Sequence, residues 1–76
     1  MTIIIENAEN LQYLTSTGRW SKNANTAQNY GTRQTALAAA KLESIGEFNV
    51  VGYFSKSNQF INLESGKGTR TGAVAV

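Results

Sequence analysis

The side chains best suited to binding chemistry are concentrated in one stretch of the 76-residue chain, GRWSKNANTAQNYGTR at residues 18–33. It contains the only tryptophan, Trp20, and a tyrosine, Tyr30, together with three cations and a run of amides. Aromatic rings flanked by cations can stack on nucleic-acid bases, and rings beside amides can also contact a protein. The candidate partner-binding residues of this stretch are Arg19, Lys22, Asn23, Asn25, Tyr30 and Arg33.

The same two rings also have an architectural interpretation. Trp20 would anchor the core, because a small domain without disulfides needs its largest apolar side chain inside. Tyr30 would pack back on the first turn of a following helix as a hydrophobic staple. We favour burial for both rings, and the polar residues 21–29 are then the best candidate for a contact loop.

The groups that usually carry catalysis are missing from the sequence. It has no His, Cys or Asp, so triads built on imidazole or thiol cannot form, and zinc lacks its normal ligands. The five glutamates do not have the spacing of a paired-carboxylate or metal motif. The motif GKGT at residues 66–69 lacks the earlier glycine and the following helix of a phosphate-binding loop. We therefore predict that the protein is not an enzyme and binds no cofactor or metal.

Length and charge limit the class of protein further. Seventy-six residues allow one domain whose core is marginally sufficient, which leaves tight packing or self-association as reinforcement. The net charge of +2 is too small to indicate a nucleic-acid binder. No apolar run approaches the ~20 residues of a membrane span, and no basic segment marks a signal peptide. We predict no membrane association and a cytoplasmic location.

Hydrophobic periodicity predicts one helix and two hairpins. The Ala-rich helix is expected to begin after Thr32, whose hydroxyl is suited to cap it. In the first hairpin, Leu14 and Trp20 lie at similar distances from the turn at residues 15–18 and can pair across the strands. The order strand, hairpin, helix, hairpin is predicted over residues 2–5, 11–21, 32–44 and 48–63. One helix packed on a four- to five-stranded antiparallel sheet, an α+β fold, is the economical arrangement.

A single compact domain is predicted over residues 1–64, followed by a flexible basic tail at 65–76. The helix stripe expected to face the sheet is Thr35, Ala38, Ala39, Leu42 and Ile45. The strand at residues 48–54 should alternate, with even-numbered residues towards the helix. The predicted core is Leu14, Trp20, Ala38, Leu42, Ile45, Phe48, Val50 and Phe54.

The opposite face of the sheet is a second candidate surface. Tyr53, Val51 and Asn49 should lie there, and Tyr13 and Phe60 can join them. If this face is uncovered, it forms an aromatic and amide patch, which usually marks a partner or dimer interface. Tyr13 and Tyr53 are therefore added to the candidate partner-binding residues.

Residues 13–42, YLTSTGRWSKNANTAQNYGTRQTALAAAKL, resemble a pattern of small phage, prophage and bacterial proteins. In that pattern a hairpin ending in Gly-Arg/Lys-Trp leads through a polar loop and an aromatic residue to a capped, Ala-rich helix. The resemblance covers about two-fifths of the chain, and its motifs are structural. It implies the class of single-domain host inhibitors, such as anti-CRISPR and other anti-defence proteins. The slightly basic charge departs from the strong acidity of inhibitors that mimic nucleic acid.

Three functions are compatible with the sequence. The favoured one is a small non-catalytic binding protein, encoded by a phage or mobile element, that inhibits a host protein by occlusion. The second is an accessory nucleic-acid or nucleotide-binding protein whose cations bind phosphates. The third is a structural or self-assembling virion protein, and a homodimer is also compatible with the sequence.

Overall fold

In the computed structural model, which describes residues 1–43 and 46–68, one α-helix packs on a five-stranded antiparallel sheet. The elements are β1 (Thr2–Asn7), β2 (Tyr13–Leu14), β3 (Trp20–Ser21), a 3-10 helix (Ala24–Thr26), α1 (Arg33–Glu43), β4 (Glu47–Phe54) and β5 (Gln59–Lys67). The strand order across the sheet is β3-β2-β1-β4-β5. This arrangement confirms the predicted α+β class. The predicted element order is matched only roughly, because a 3-10 helix interrupts the polar loop.

The first hairpin is shorter than predicted but has the expected pairing. Leu14 lies opposite Trp20, and Tyr13 lies opposite Ser21. The turn is closed by the Thr15 N–H, which donates to the Arg19 carbonyl at 2.8 Å. Residue 11, predicted to start the strand, has a positive φ of 59° and lies outside β2. The hairpin strands are therefore only two residues long.

Helix α1 begins as predicted, at a threonine cap. The Thr32 hydroxyl oxygen accepts a hydrogen bond from the Thr35 N–H at 3.2 Å, which satisfies one of the free donors of the first turn. Gly31 precedes the cap with a φ of 82°, and its N–H donates to Asn29 Oδ1 at 3.0 Å. Local side-chain hydrogen bonds therefore fix where the helix starts.

The predicted buried stripe of the helix was largely wrong, since of its described members only Ala39 packs, partly buried, against the helix-side core. Ala36 and Ala40 are fully buried against the sheet, whereas Ala38 is exposed and Leu42 is 69% exposed. Thr35 is also exposed, and the position predicted for Ile45 lies outside the described residues. The small methyl groups of an alanine pair one turn apart let the helix backbone approach the sheet closely. The longer Leu42 side chain is left at the surface.

The sheet carries a hydrophobic core on each face. The helix-side core contains Ile3, Ile5, Leu14, Ala36, Ala40, Phe48 and Val50. The second core contains Ile4, Tyr13, Val51 and Tyr53. The alternation predicted for β4 is therefore confirmed from Phe48 to Tyr53. Trp20 is partly buried and packs against the helix-side core.

Phe54, predicted to be a core residue, belongs to neither core. It is half-buried at the last position of β4, where the chain enters the turn of residues 55–58. Side chains at the end of a strand have fewer neighbours, since the helix and the adjacent strands no longer enclose them. The core therefore ends before Phe54.

Strand β5 extends further than the predicted domain end at residue 64. It pairs with β4 through Lys67, so its last three residues lie in the stretch predicted as tail. The register shifts between Val50, which faces Glu64, and Val51, which faces Asn62. One extra residue, Leu63, is thereby accommodated as a bulge. Residues 69–76, including the AVAV sequence, lie outside the described residues.

Gly66 allows the buried Phe48 ring to lie against β5, and we expect Gly66→Ala to destabilise the fold. A β-carbon at Gly66 would lie 2.8 Å from Phe48 Cζ, and the enclosed ring has no space to retreat. We expect a loss of about 1–3 kcal/mol in the free energy of unfolding, measured by urea denaturation. The matched control is Gly52→Ala, whose β-carbon would come closest to the flexible and exposed Met1 side chain, which can move aside. Equal losses in the two variants would contradict this account.

Candidate protein-interaction surface

Three aromatic rings stack on the sheet face opposite α1. Phe60 on β5 lies over Tyr53 with ring centroids 4.8 Å apart, and over Tyr13 with centroids 5.8 Å apart. Only Phe60 is accessible: it is 43% exposed, whereas Tyr13 is 9% and Tyr53 4% exposed. The two tyrosines predicted to contact a partner are therefore buried. The exposed ring of this aromatic stack belongs to Phe60.

The tyrosines are buried because the polar loop folds over them. Within that loop, Asn23 caps the 3-10 helix, its Oδ1 accepting from the Asn25 N–H at 2.9 Å. The Tyr53 hydroxyl donates to Asn25 Oδ1 at 3.0 Å, and Ala24 and Ala27 pack against the second core. Asn23 and Asn25 thus have structural roles, and this sheet face is partly covered, contrary to the prediction.

Tyr13 is held in its neutral form by its surroundings. Burial, followed by the nearby negative charge of Glu6, raises the pKa of Tyr13 above its ordinary value of 10.0. Glu6 and Tyr13 are opposite each other on β1 and β2, which places the carboxylate beside the ring.

A row of polar side chains crosses the sheet beside the aromatic stack. Asn49 Nδ2 donates to Glu6 Oε1 at 3.0 Å, and the Ser65 hydroxyl donates to Asn49 Oδ1 at 2.7 Å. Asn62 Nδ2 reaches both Asn49 Oδ1, at 3.3 Å, and Ser65 Oγ, at 3.2 Å. Because these groups bind one another, the amides predicted for this face are used within the protein.

The structure does not bring the predicted cations together. Arg19 and Lys22 are exposed on either side of β3, at one edge of the sheet. Arg33 starts α1 and forms an ion pair with Glu64 of β5, 3.6 Å from Arg33 Nε to Glu64 Oε1. Strand β5 is the opposite edge of the sheet. The three cations therefore do not form one phosphate-binding clamp.

Tyr30 is fastened to the sheet through its backbone. Its N–H donates to the Ile3 carbonyl at 2.8 Å, while the Ile3 N–H donates to Asn29 Oδ1 at 3.1 Å. The ring is half-buried against the helix-side core, in agreement with the architectural interpretation. Burial, and secondly the charge of Glu43, raise the pKa of Tyr30 above 10.0.

The most exposed apolar part of the sheet is the first half of β5, where sequence analysis named Phe60 as part of a candidate patch but missed Ile61. Phe60 lies opposite Tyr53, and Ile61, which is 49% exposed, lies opposite Gly52 on the other face. Among the described residues, the outer side of β5 pairs with no strand. We call residues 59–62 the edge segment. The sequence signal was present: adjacent apolar residues point to both faces, and no charge interrupts them.

Comparisons of the chain with protein-family models, with curated proteins and with solved structures find no match. Within the described residues, neither helix has the length and apolar character needed to cross a membrane. What the fold and site define is therefore a small α+β domain with an exposed apolar sheet edge.

Proposed function

We propose that the protein is a non-catalytic binding protein that occludes a surface of a protein partner, and that the edge segment is its contact. The observation that carries this proposal is the exposure of the sequence neighbours Phe60 and Ile61, one on each face of a strand whose outer edge is unpaired among the described residues. Such an edge supplies backbone hydrogen bonds for an extended segment of a partner. Phe60 on one face of the sheet and Ile61 on the other would then both contact side chains of the added strand.

The position of the contact along β5 is limited by the rest of the strand. The bulge at Leu63 interrupts the regular pairing geometry, and Glu64 and Lys67 place charges beyond it. Bulges and charges are devices that discourage pairing at a sheet edge. The edge segment has neither, so it is the part of β5 best suited to accept a partner.

A host protein is the proposed partner class, in agreement with the resemblance to phage-encoded inhibitors and anti-defence proteins. The separation of Arg33 from Arg19 and Lys22 favours a protein partner over the nucleic-acid alternative, which needs clustered cations. Exposed aromatic and aliphatic residues at the centre of an interface commonly dominate its binding energy.

The test is a quantitative capture experiment with two matched variants. Ile61→Glu introduces a charge in the edge segment, and Leu42→Glu introduces the same charge at an exposed apolar site on α1. We expect a bacterial protein captured by tagged wild type to be lost with Ile61→Glu and retained with Leu42→Glu, while circular dichroism shows both variants folded. Retention by both variants, or recovery of nucleic acid alone, would contradict the proposal. If the protein forms a homodimer that Ile61→Glu disrupts, the partner of the edge segment is a second copy of this chain and not a host protein.

A further inference from the structure

A groove of about 390 Å³ lies between the β2–β3 turn and α1, away from the edge segment. The groove is lined by Leu14, Thr15, Ser16, Thr17, Gly18, Gln28, Tyr30, Ala39 and Glu43. Its volume is at the lower end of the range for small-ligand sites, about 300–1,000 Å³. It would therefore hold one small molecule or one long side chain.

Most side chains that line the groove are polar, and the charge among them is negative. Glu43 is the only charged residue among those that line it. The other polar groups are hydroxyls and the Gln28 amide, and the Thr15 and Thr17 hydroxyls already bond each other at 3.0 Å. Within residues 1–43 and 46–68, the side chains of Gln28 and Tyr30 make no hydrogen bond, so both are available to a ligand. A ligand that complements this lining is a cation with several N–H donors.

We propose that this groove binds a guanidinium group, with Glu43 accepting its N–H donors and the Tyr30 ring stacking against its plane. A carboxylate can accept two parallel N–H bonds from a guanidinium, and the flat cation also stacks on aromatic rings. An alkylammonium group has neither a pair of parallel N–H donors nor a planar face, so it matches this lining less well. Glu43 and Tyr30 line the same groove, in agreement with the contribution that Glu43 makes, after burial, to the raised pKa of Tyr30.

The guanidinium can belong to a free small molecule or to an arginine side chain of another protein. This proposal does not rest on the proposed function, because the groove is formed by the β2–β3 turn and α1, and none of its lining residues belongs to β5. Loss of binding at one surface should leave binding at the other unchanged.

The test is a titration of the isotope-labelled full chain, followed by amide chemical shifts, with N-acetylarginine methylamide as the probe. We expect saturable shifts at Gly18, Gln28 and Ala39. Glu43→Gln should weaken binding at least about tenfold, the loss expected for removing one charge-assisted hydrogen bond of about 1.5 kcal/mol. Glu47→Gln, which removes an exposed carboxylate on β4 outside the groove, should bind as wild type does.

Three further probes distinguish the alternatives. The citrulline analogue, neutral and of similar shape, and n-butylammonium should each bind far more weakly than the arginine probe. Equal binding of either one, or equal weakening by Glu43→Gln and Glu47→Gln, would overturn the proposal. Free arginine binding more tightly than the capped probe would support a small-molecule ligand. Equal binding of the two would support an arginine side chain of a protein.

Discussion

Phe48→Ala is expected to unfold the domain or leave it barely folded. The ring is completely buried in the helix-side core, which also contains the alanine pair of α1, and it lies against Gly66. Its removal costs the transfer free energy of the ring and leaves a cavity, together about 3–5 kcal/mol. Domains of ordinary stability have about 5–15 kcal/mol in total, and a 76-residue chain belongs near the lower end. The measurement is the urea midpoint followed by circular dichroism.

The control for Phe48→Ala is Leu42→Ala. Sequence periodicity places both residues in the core, but the structure leaves Leu42 at the surface of α1. We expect Leu42→Ala to change the free energy of unfolding by no more than about 0.5 kcal/mol, as is usual for exposed positions. A loss from Leu42→Ala comparable to that from Phe48→Ala would mean that the helix packs on the sheet through its other face.

Trp20→Ala is expected to cost about 3–4 kcal/mol, somewhat less than a fully buried tryptophan would. An aromatic side chain of this size buries about 200 Å² when fully enclosed, each Å² is worth about 25 cal/mol, and Trp20 retains most of that burial. Trp20 is partly buried, lies opposite Leu14 and packs against the helix-side core. The neighbouring Arg19→Ala, at an exposed position, should be nearly neutral. Both variants are measured by urea denaturation.

The outcome for Trp20 decides between the two interpretations of the stretch at residues 18–33. A Trp20→Ala variant of wild-type stability that loses partner binding would identify the ring as an exposed platform. A destabilised variant that retains binding under folding conditions would identify it as architecture. In the wild-type protein, we expect the indole emission to be intermediate between buried and solvent-exposed tryptophan.

The local elements could be predicted because each depends on residues close together in the chain. The Thr32 cap uses a hydrogen bond to a residue three positions later, and the Leu14–Trp20 pair follows from the distance of each residue to one turn. The alternation of Phe48 and Val50 with Val51 and Tyr53 is the two-residue period of any strand. The sequence also excludes imidazole and thiol chemistry by composition alone.

The buried face of α1 could not be predicted in the same way. An alanine-rich helix is apolar around much of its circumference, so several stripes are nearly equivalent in the sequence. The sheet selects Ala36 and Ala40 because their methyl groups allow the closest approach, and Leu42 is exposed as a result. This choice depends on the shape of the surface that the helix meets.

The candidate site depended most on contacts between distant parts of the chain. The composition of residues 21–29 predicts a polar loop, but only its path over Tyr13 and Tyr53 shows that those rings are covered. The edge position of β5 likewise follows from the pairing of β1 with β4, more than forty residues apart in the chain. The sequence by itself thus determined the helix, the two hairpins and their order, because the hydrogen bonds and periods of these elements are local. The tertiary structure decided which side chains remain exposed, because exposure depends on which distant strands and loops pack together.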